Sequence, residues 1–111
     1  MDNEQTYIIR FEDETVADSN QKASELRDAL LDTSPDVSAD LVKDHESTQD
    51  FGATLVLVLG TPALIAIAKG IADYLARRGG SITIESSDGK VIAQGIKSAD
   101  AARIAEAFSK K

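Results

Sequence analysis

Apolar and polar positions alternate near the start of the chain, over residues 5–11. Tyr7, Ile9 and Phe11 fall on one face of this segment, while Arg10 falls on the other. A period of two that is rich in aromatic and β-branched residues is typical of a half-buried strand. The pattern therefore predicts a first strand here.

The period changes to that of a helix after an acidic linker. Apolar residues then share one helical face, and they are Ala23, Leu26 and Leu30, with Ala29 and Leu31 widening the stripe. Ser19 has a hydroxyl side chain of the kind favoured at a helix N-cap. Pro35 disfavours helical geometry at the residue before it, so we expect the helix to end near Asp32.

Residues 37–43 alternate again, with Val37, Ala39 and Leu41 on one side and polar residues opposite. This pattern predicts a strand exposed on one face. A helix joins it to the first strand, so we expect a right-handed β-α-β unit with parallel strands. Residues 44–50 are wholly polar and predict a loop.

The longest apolar stretch comes next, because residues 51–68 carry no charge over 18 positions. Gly60-Thr61-Pro62 interrupts it, and Pro62 suits the first turn of a helix. Residues 53–59 fit either a buried strand or a helical turn or two. We interpret them as helix that enters after Gly52 and kinks near Pro62.

The helical signal is strongest from Pro62 to Arg78. The apolar stripe consists of Leu64, Ile67, Ile71, Tyr74 and Leu75. Arg77 and Arg78 lie in the last turn, where cations complement the helix dipole, and Gly79-Gly80 is a stop signal. A narrow polar strip, Lys69, Asp73 and Arg77, marks the face towards water.

The C-terminal third predicts a hairpin and a last helix. A strand over Ser81–Glu85 and a returning strand over Lys90–Ile96 flank the turn Ser87-Asp88-Gly89, where glycine supplies a positive φ. Ser98 is expected to cap the helix. The inward positions of that helix are Ala101, Ile104, Ala105 and Phe108.

The predicted order is therefore β-α-β-α-β-β-α, in a single α+β domain over residues 1–111. We expect a four-stranded mixed sheet packed on helices, with a long apolar central helix. A spanning helix needs about 20 predominantly apolar residues, so the uncharged run lies at that threshold. The mid-run Gly60-Thr61-Pro62 would leave backbone groups unsatisfied in lipid, and membrane insertion is the less favoured interpretation.

Charge is distributed unevenly along the chain, whose net charge is −7. Residues 1–50 hold 14 Asp and Glu against 4 Lys and Arg, and residues 51–111 hold 5 against 8. The second half lacks the clustered basic face that nucleic-acid binding needs, so we expect no nucleic-acid partner. The absence of cysteine fits a cytoplasmic location, and the acidic N-terminus is unlike a secretory signal.

The sequence contains no recognisable catalytic, metal or cofactor constellation. His45 is the only histidine and stands in the polar loop, where no second imidazole or thiolate can join it. Gly60 and Lys69-Gly70 lack the spacing of a phosphate-binding loop. We therefore expect neither cofactor nor metal, and no enzymatic activity.

Three features of the second half of the chain occur together. Phe51-Gly52-Ala53 opens an apolar segment, Tyr74–Arg78 closes it with basic residues, and a strand and turn follow over residues 81–90. In these features the chain resembles the effector-associated constant components of predicted bacterial conflict systems. Tyr74 stands near a helix end where that family often has tryptophan. The resemblance implies a non-catalytic partner for a variable effector, such as a caspase-like or trypsin-like protease.

The sequence thus predicts an adaptor that couples a sensor or regulator to an effector, by docking or by self-association into a homo-oligomer. Tyr74, Arg77 and Arg78 are the expected exposed contacts, because aromatic and arginine residues dominate interface energetics. Ala66 and Gly70 add small residues at a spacing that permits close approach. Three alternatives remain open. Arg77 and Arg78 could serve the helix dipole alone, the apolar helix could insert into a membrane on activation, or the open sheet face could bind a small ligand.

Overall fold

The computed structural model describes residues 4–12, 15–33, 37–43, 53–60 and 63–109. They form five strands, three helices and one short 3₁₀ turn over Ser98–Asp100. In chain order the elements are β1 (Gln5–Glu12), α1 (Val16–Thr33), β2 (Ser38–Lys43), β3 (Ala53–Leu59), α2 (Leu64–Arg78), β4 (Ser81–Ser86), β5 (Val91–Ile96) and α3 (Ala101–Ser109).

The strands form one sheet in the order β2-β3-β1-β4-β5, and each neighbouring pair is antiparallel. Strands β1 and β2 are parallel to one another but have β3 between them, and β3 and β4 likewise have β1 between them. Each crossover helix thus belongs to a split β-α-β unit, and two such units interlock as in ferredoxin-like connectivity. The predicted four-stranded mixed sheet is corrected to five antiparallel strands.

The helices and one face of the sheet enclose a single hydrophobic core. Its largest fully buried side chains come from every layer, and they are Phe108, Ile9, Leu26, Leu30, Leu55, Leu57, Leu59, Ile67, Ile71, Leu75, Ile82 and Ile84. The predicted inward faces of β1 and α1 are confirmed, since Tyr7, Phe11 and Ala23 are also buried. Leu31 is 40% exposed, however, and lies outside the stripe.

The interpretation of residues 53–59 as helix is wrong, because they form the strand β3. Leu55, Leu57 and Leu59 face the helices, while Val56 and Val58 lie on the opposite face of the sheet. β3 pairs with β1 on one side and β2 on the other, so it lies inside the sheet. The described part of the uncharged run is therefore a strand followed by the start of a helix, and the described residues contain no long apolar central helix.

Two predicted helix caps are also corrected. Thr15 caps α1, because its Oγ1 accepts a hydrogen bond from the Asp18 backbone N–H at 3.1 Å. Ser19 instead lies inside the helix and is buried. Before α3, the N-cap is Lys97 and Ser98 is the first residue of the 3₁₀ turn; the Asp100 side chain reaches back to accept a hydrogen bond from the Lys97 N–H at 3.0 Å. Ala101 is exposed rather than inward-facing.

Helix α2 packs closely on α1 at Gly70. A Cβ atom at Gly70 would lie 2.9 Å from Leu30 Cδ2, so only glycine fits without displacing the neighbour. The polar strip is exposed as predicted, and Lys69 pairs with Asp73 at 3.8 Å. Gly79, at a φ of 78°, ends the helix by donating its N–H to the Leu75 carbonyl at 2.7 Å. The predicted first turn at Thr61 and Pro62 lies outside the described residues.

A side chain of β1, the neighbour of β4, binds both strands of the hairpin β4–β5. The turn of the hairpin is where predicted, with Gly89 at a φ of 90°. Glu12 on β1 reaches across β4, accepting hydrogen bonds from the Ser81 and Thr83 hydroxyls and from the Gly95 N–H of β5 at 3.0 Å. The pairing of β4 with β5 is irregular and Gly95 has a φ of 64°, so β5 is a bulged edge strand.

Candidate functional site

The C-terminal end of α2 borders an open surface depression of about 360 Å³, lined by Glu25, Tyr74, Arg77 and Arg78. We call this feature the α2 depression. The structure brings together three of the five residues that the sequence analysis selected and adds Glu25 from α1. The other two, Ala66 and Gly70, lie one to three turns nearer the start of α2.

Tyr74 is a buried residue, which corrects its expected place as an exposed contact. Its side chain is 2% exposed, and its ring lies edge-on to Phe11 with the centroids 6.2 Å apart. Only the hydroxyl reaches the depression, where it donates to Glu25 Oε1 at 2.8 Å. Burial, reinforced by this bond to a carboxylate, raises the pKa of Tyr74 to about 12. The phenol therefore stays protonated and acts as a fixed donor.

Glu25 is the centre of the polar network and was not selected from the sequence. Besides Tyr74, it accepts hydrogen bonds from Arg78 Nε at 2.9 Å, Arg78 Nη2 at 3.3 Å and Gln21 Nε2 at 3.3 Å. The bond from Tyr74 is the main cause that lowers the pKa of Glu25, with the charge of Arg78 also contributing. The carboxylate is thus held ionised. One signal in the sequence could have indicated a partner of this kind. Tyr74 lies on the apolar stripe of α2, and the hydroxyl of a buried tyrosine usually forms a hydrogen bond.

Arg78 is oriented by this carboxylate. Its two bonds to Glu25 form a fork-like contact, which fixes the plane of the guanidinium group. The Tyr74 hydroxyl and the charge of Glu25 raise the pKa of Arg78. A guanidinium group has five N–H donors, so donors remain on Arg78 for a further oxygen atom. Arg78 therefore joins α1 to α2 and still faces the depression.

Arg77 is exposed and lines the same depression. Within the part of the chain that the structure describes, no ion pair or hydrogen bond engages its guanidinium group. By contrast, the neighbouring Arg78 forms an ion pair with Glu25, and Lys69 on the same helix forms one with Asp73. Among the residues that line the depression, Arg77 is thus the one whose charge contributes least to contacts within the fold.

Ala66 and Gly70 have different surroundings although they are one helical turn apart. Ala66 is exposed, next to Ile65, whose side chain is 77% exposed. Gly70 faces Leu30 and Thr33 of α1 in the same chain. The close approach that its small size permits is therefore used within the fold.

The face of the sheet away from the helices is the second surface of interest. Its apolar centre is formed by Ile8, Val56 and Val58, which are partly exposed and do not join the core cluster. Beside them Arg10 Nε lies 3.3 Å from Glu85 Oε2. Stacking of bases needs aromatic side chains on such a face. The described aromatic residues are all buried in the core, and they are Tyr7, Phe11, Tyr74 and Phe108.

Among the described residues, no three His, Asp or Glu side chains are grouped as a metal site would require. His45 lies outside the described residues. No described helix has the length and apolar character needed to cross a bilayer.

Comparison of the chain with protein families, with characterised proteins and with solved structures finds no match.

Proposed function

We propose that this chain is a non-catalytic interaction module that couples a sensor or regulator to an effector protein through the α2 depression. The observation that carries the proposal is the exposed Arg77 beside an Arg78 that is already oriented by Glu25 and Tyr74. Arginine is enriched at binding hot spots, and side chains held in place before binding lose less entropy on association.

The surroundings of Arg77 support an interaction role over a purely structural one. Both arginines complement the dipole of α2. Arg78 in addition holds α1, whereas Arg77 lines the depression without an ion pair among the described residues. A cation at position 77 or at position 78 would complement the helix dipole equally well. Because Arg78 already does so, the donors of Arg77 are available to a partner.

The nature of the partner follows from the family resemblance alone. It implies an effector enzyme, such as a caspase-like or trypsin-like protease of a bacterial conflict system. We place the pair in the cytoplasm. Self-association of this chain is compatible with the same role, and light scattering on the purified chain distinguishes a monomer from a dimer.

Co-purification tests the proposal. A tagged copy of the chain is co-expressed with each effector protein encoded beside its gene. We expect one of them to co-purify in stoichiometric amount, and Arg77→Glu to reduce its recovery at least tenfold. Lys69→Glu is the matched control, since it makes the same charge change on the same helix, about 12 Å away along the axis.

The folding of each variant is checked by circular dichroism and thermal unfolding. We expect Arg77→Glu to unfold at nearly the wild-type temperature, because substitutions at exposed sites usually change stability by less than about 0.5 kcal/mol. Failure of every neighbouring effector to co-purify with the wild-type chain would contradict the adaptor role.

A further inference from the structure

The α2 depression also indicates what kind of surface it would contact. Two guanidinium groups from consecutive residues border it, and one carboxylate, Glu25, is already engaged by Arg78 and Tyr74. Counting Glu25, Arg77 and Arg78, the depression has a surplus of one positive charge. This surplus is local, since the whole chain has a net charge of −7.

The geometry of the donors further restricts which chemical groups could bind at the depression. Guanidinium groups present planar pairs of N–H donors that match the two oxygens of a carboxylate. Because Glu25 fixes Arg78, part of this recognition surface is organised before a ligand arrives. The Tyr74 hydroxyl already donates to Glu25 and so leaves the arginines as the donors for an incoming oxyanion.

We infer that Arg77 and Arg78 recognise an acidic segment of the partner protein, with an Asp or Glu carboxylate bound at the α2 depression. This inference rests on the proposed interaction function and specifies the chemistry of its partner. Nucleic acid and anionic membrane are less suitable, because each requires an extended basic surface. Here the nearest turn of α2 instead exposes Asp73 beside Lys69.

Nuclear magnetic resonance tests the inference without the natural partner. The ¹⁵N-labelled full chain is titrated with hexaglutamate peptide, while the side-chain Nε–H signals of Arg77 and Arg78 and the amide of Gly79 are followed. We expect these signals to shift together and to saturate. Hexaglutamine should leave them unchanged, and added NaCl should weaken the binding because exposed charges are screened.

Three variants locate the effect. Arg77→Gln should raise the Kd for hexaglutamate about tenfold, while Lys69→Gln should leave it within twofold. Glu25→Gln raises the local surplus from one positive charge to two and removes the carboxylate that occupies donors of Arg78, so it should lower the Kd for hexaglutamate rather than raise it. The wild-type pattern of all other amide signals in Arg77→Gln verifies that the fold is intact.

Other outcomes overturn the inference. The inference fails if hexaglutamate causes no shift at the arginines, or if it causes shifts of equal size around Lys69 and other distant cations. If inorganic phosphate or a single-stranded oligonucleotide shifts the arginine signals at concentrations where hexaglutamate does not, the ligand is not a carboxylate.

The two proposals can fail separately. If an effector co-purifies but is insensitive to Arg77→Glu, the adaptor role stands and the acidic-segment inference fails. If hexaglutamate binds at the arginines but no effector co-purifies, the adaptor role fails instead.

Discussion

The two ends of the α1–α2 contact are built differently. At Gly70 the helices meet through an apolar contact so close that a Cβ atom would lie 2.9 Å from Leu30 Cδ2. About 6 Å and 12 Å further along the axis, Tyr74 and Arg78 meet α1 through hydrogen bonds to Glu25. The first contact is dry and depends on shape, whereas the second is partly exposed and depends on charge.

This difference implies that the two ends of α2 have different roles, one in the stability of the fold and the other in recognition of a partner. Close-packed interiors respond strongly to added volume, while exposed ion pairs contribute little to the free energy of unfolding. We therefore expect substitutions at the Gly70 end to change stability, and substitutions at the α2 depression to change binding and pH dependence.

The largest effect is expected for Gly70→Val. Leu30 is fully buried and cannot turn into solvent, so the added side chain overpacks the contact. Overpacking of this kind costs about 1–3 kcal/mol, which exceeds the few tenths gained in helix propensity over glycine. Urea unfolding monitored by circular dichroism measures the change.

Ala66→Val is the control for Gly70→Val, since it adds the same type of side chain one turn away at an exposed position. It should cost about 0.5 kcal/mol through helix propensity alone. Equal losses from both substitutions would mean that α1 and α2 are further apart than described. Combining Gly70→Val with Leu30→Ala should give less than the sum of the two separate losses, because the smaller residue makes room.

Tyr74→Phe is expected to have the next largest effect, about 1 kcal/mol at neutral pH, because one partly buried hydrogen bond to Glu25 is lost. The folded-state pKa of about 12 lies above the ordinary value of 10.0. The protonated phenol therefore stabilises the fold fully below about pH 10, and this contribution is lost as the pH rises towards 12.

Unfolding free energies between pH 8 and pH 12 measure this slope. The variant should lose stability less steeply than the wild type, although burial also raises the pKa of Tyr7 and so keeps part of the slope. Parallel curves for the two proteins would show that Tyr74 titrates normally. Tyr7→Phe is the matched comparison, since the Tyr7 hydroxyl donates to a carbonyl, that of Phe108, at 2.7 Å rather than to a carboxylate.

Glu25→Gln should have the smallest effect on the free energy of unfolding. The pH dependence of this effect should be opposite to that of Tyr74→Phe, because the contribution of Glu25 is lost at low pH and that of Tyr74 at high pH. The pKa of Glu25 is lowered in the fold, so its ionised form stabilises the protein above its ordinary value of 4.5. That contribution is lost as the pH falls through the lowered value. Thermal unfolding should separate variant and wild type at pH 6, and the difference should shrink as the pH falls below the ordinary value of 4.5. A constant difference across this range would assign the loss to packing instead.

The sequence patterns predicted strands and helices best where the two faces of an element differ. In β1 the buried positions Tyr7, Ile9 and Phe11 alternate with residues that include Arg10, so the period of two is visible. In β3 the leucines face the helices and the valines face the other side, and both kinds are apolar. Alternation of two apolar residue types conceals the period, so the pattern of β3 does not distinguish a strand from a helix.

The candidate site was predicted only in part for a different reason. Arg77 and Arg78 stand out in the sequence because they follow an apolar helix and precede two glycines. Glu25 is 53 residues away from Arg78, and only the packing of α1 on α2 brings them together. The apolar spacing of Tyr74 correctly placed its ring in the core. The same residue was also expected at the surface because its type is common in interfaces.

The hairpin β4–β5 limits how copies of this chain could join their sheets. A bulged, irregular strand is a poor template for a further strand. Of the two outer strands, only β2 pairs with its neighbour in regular register throughout, over Ser38–Lys43. A chain with one usable edge can extend its sheet once, through a two-fold partner. Growth by strand addition would therefore stop at a pair and could not continue into a fibre.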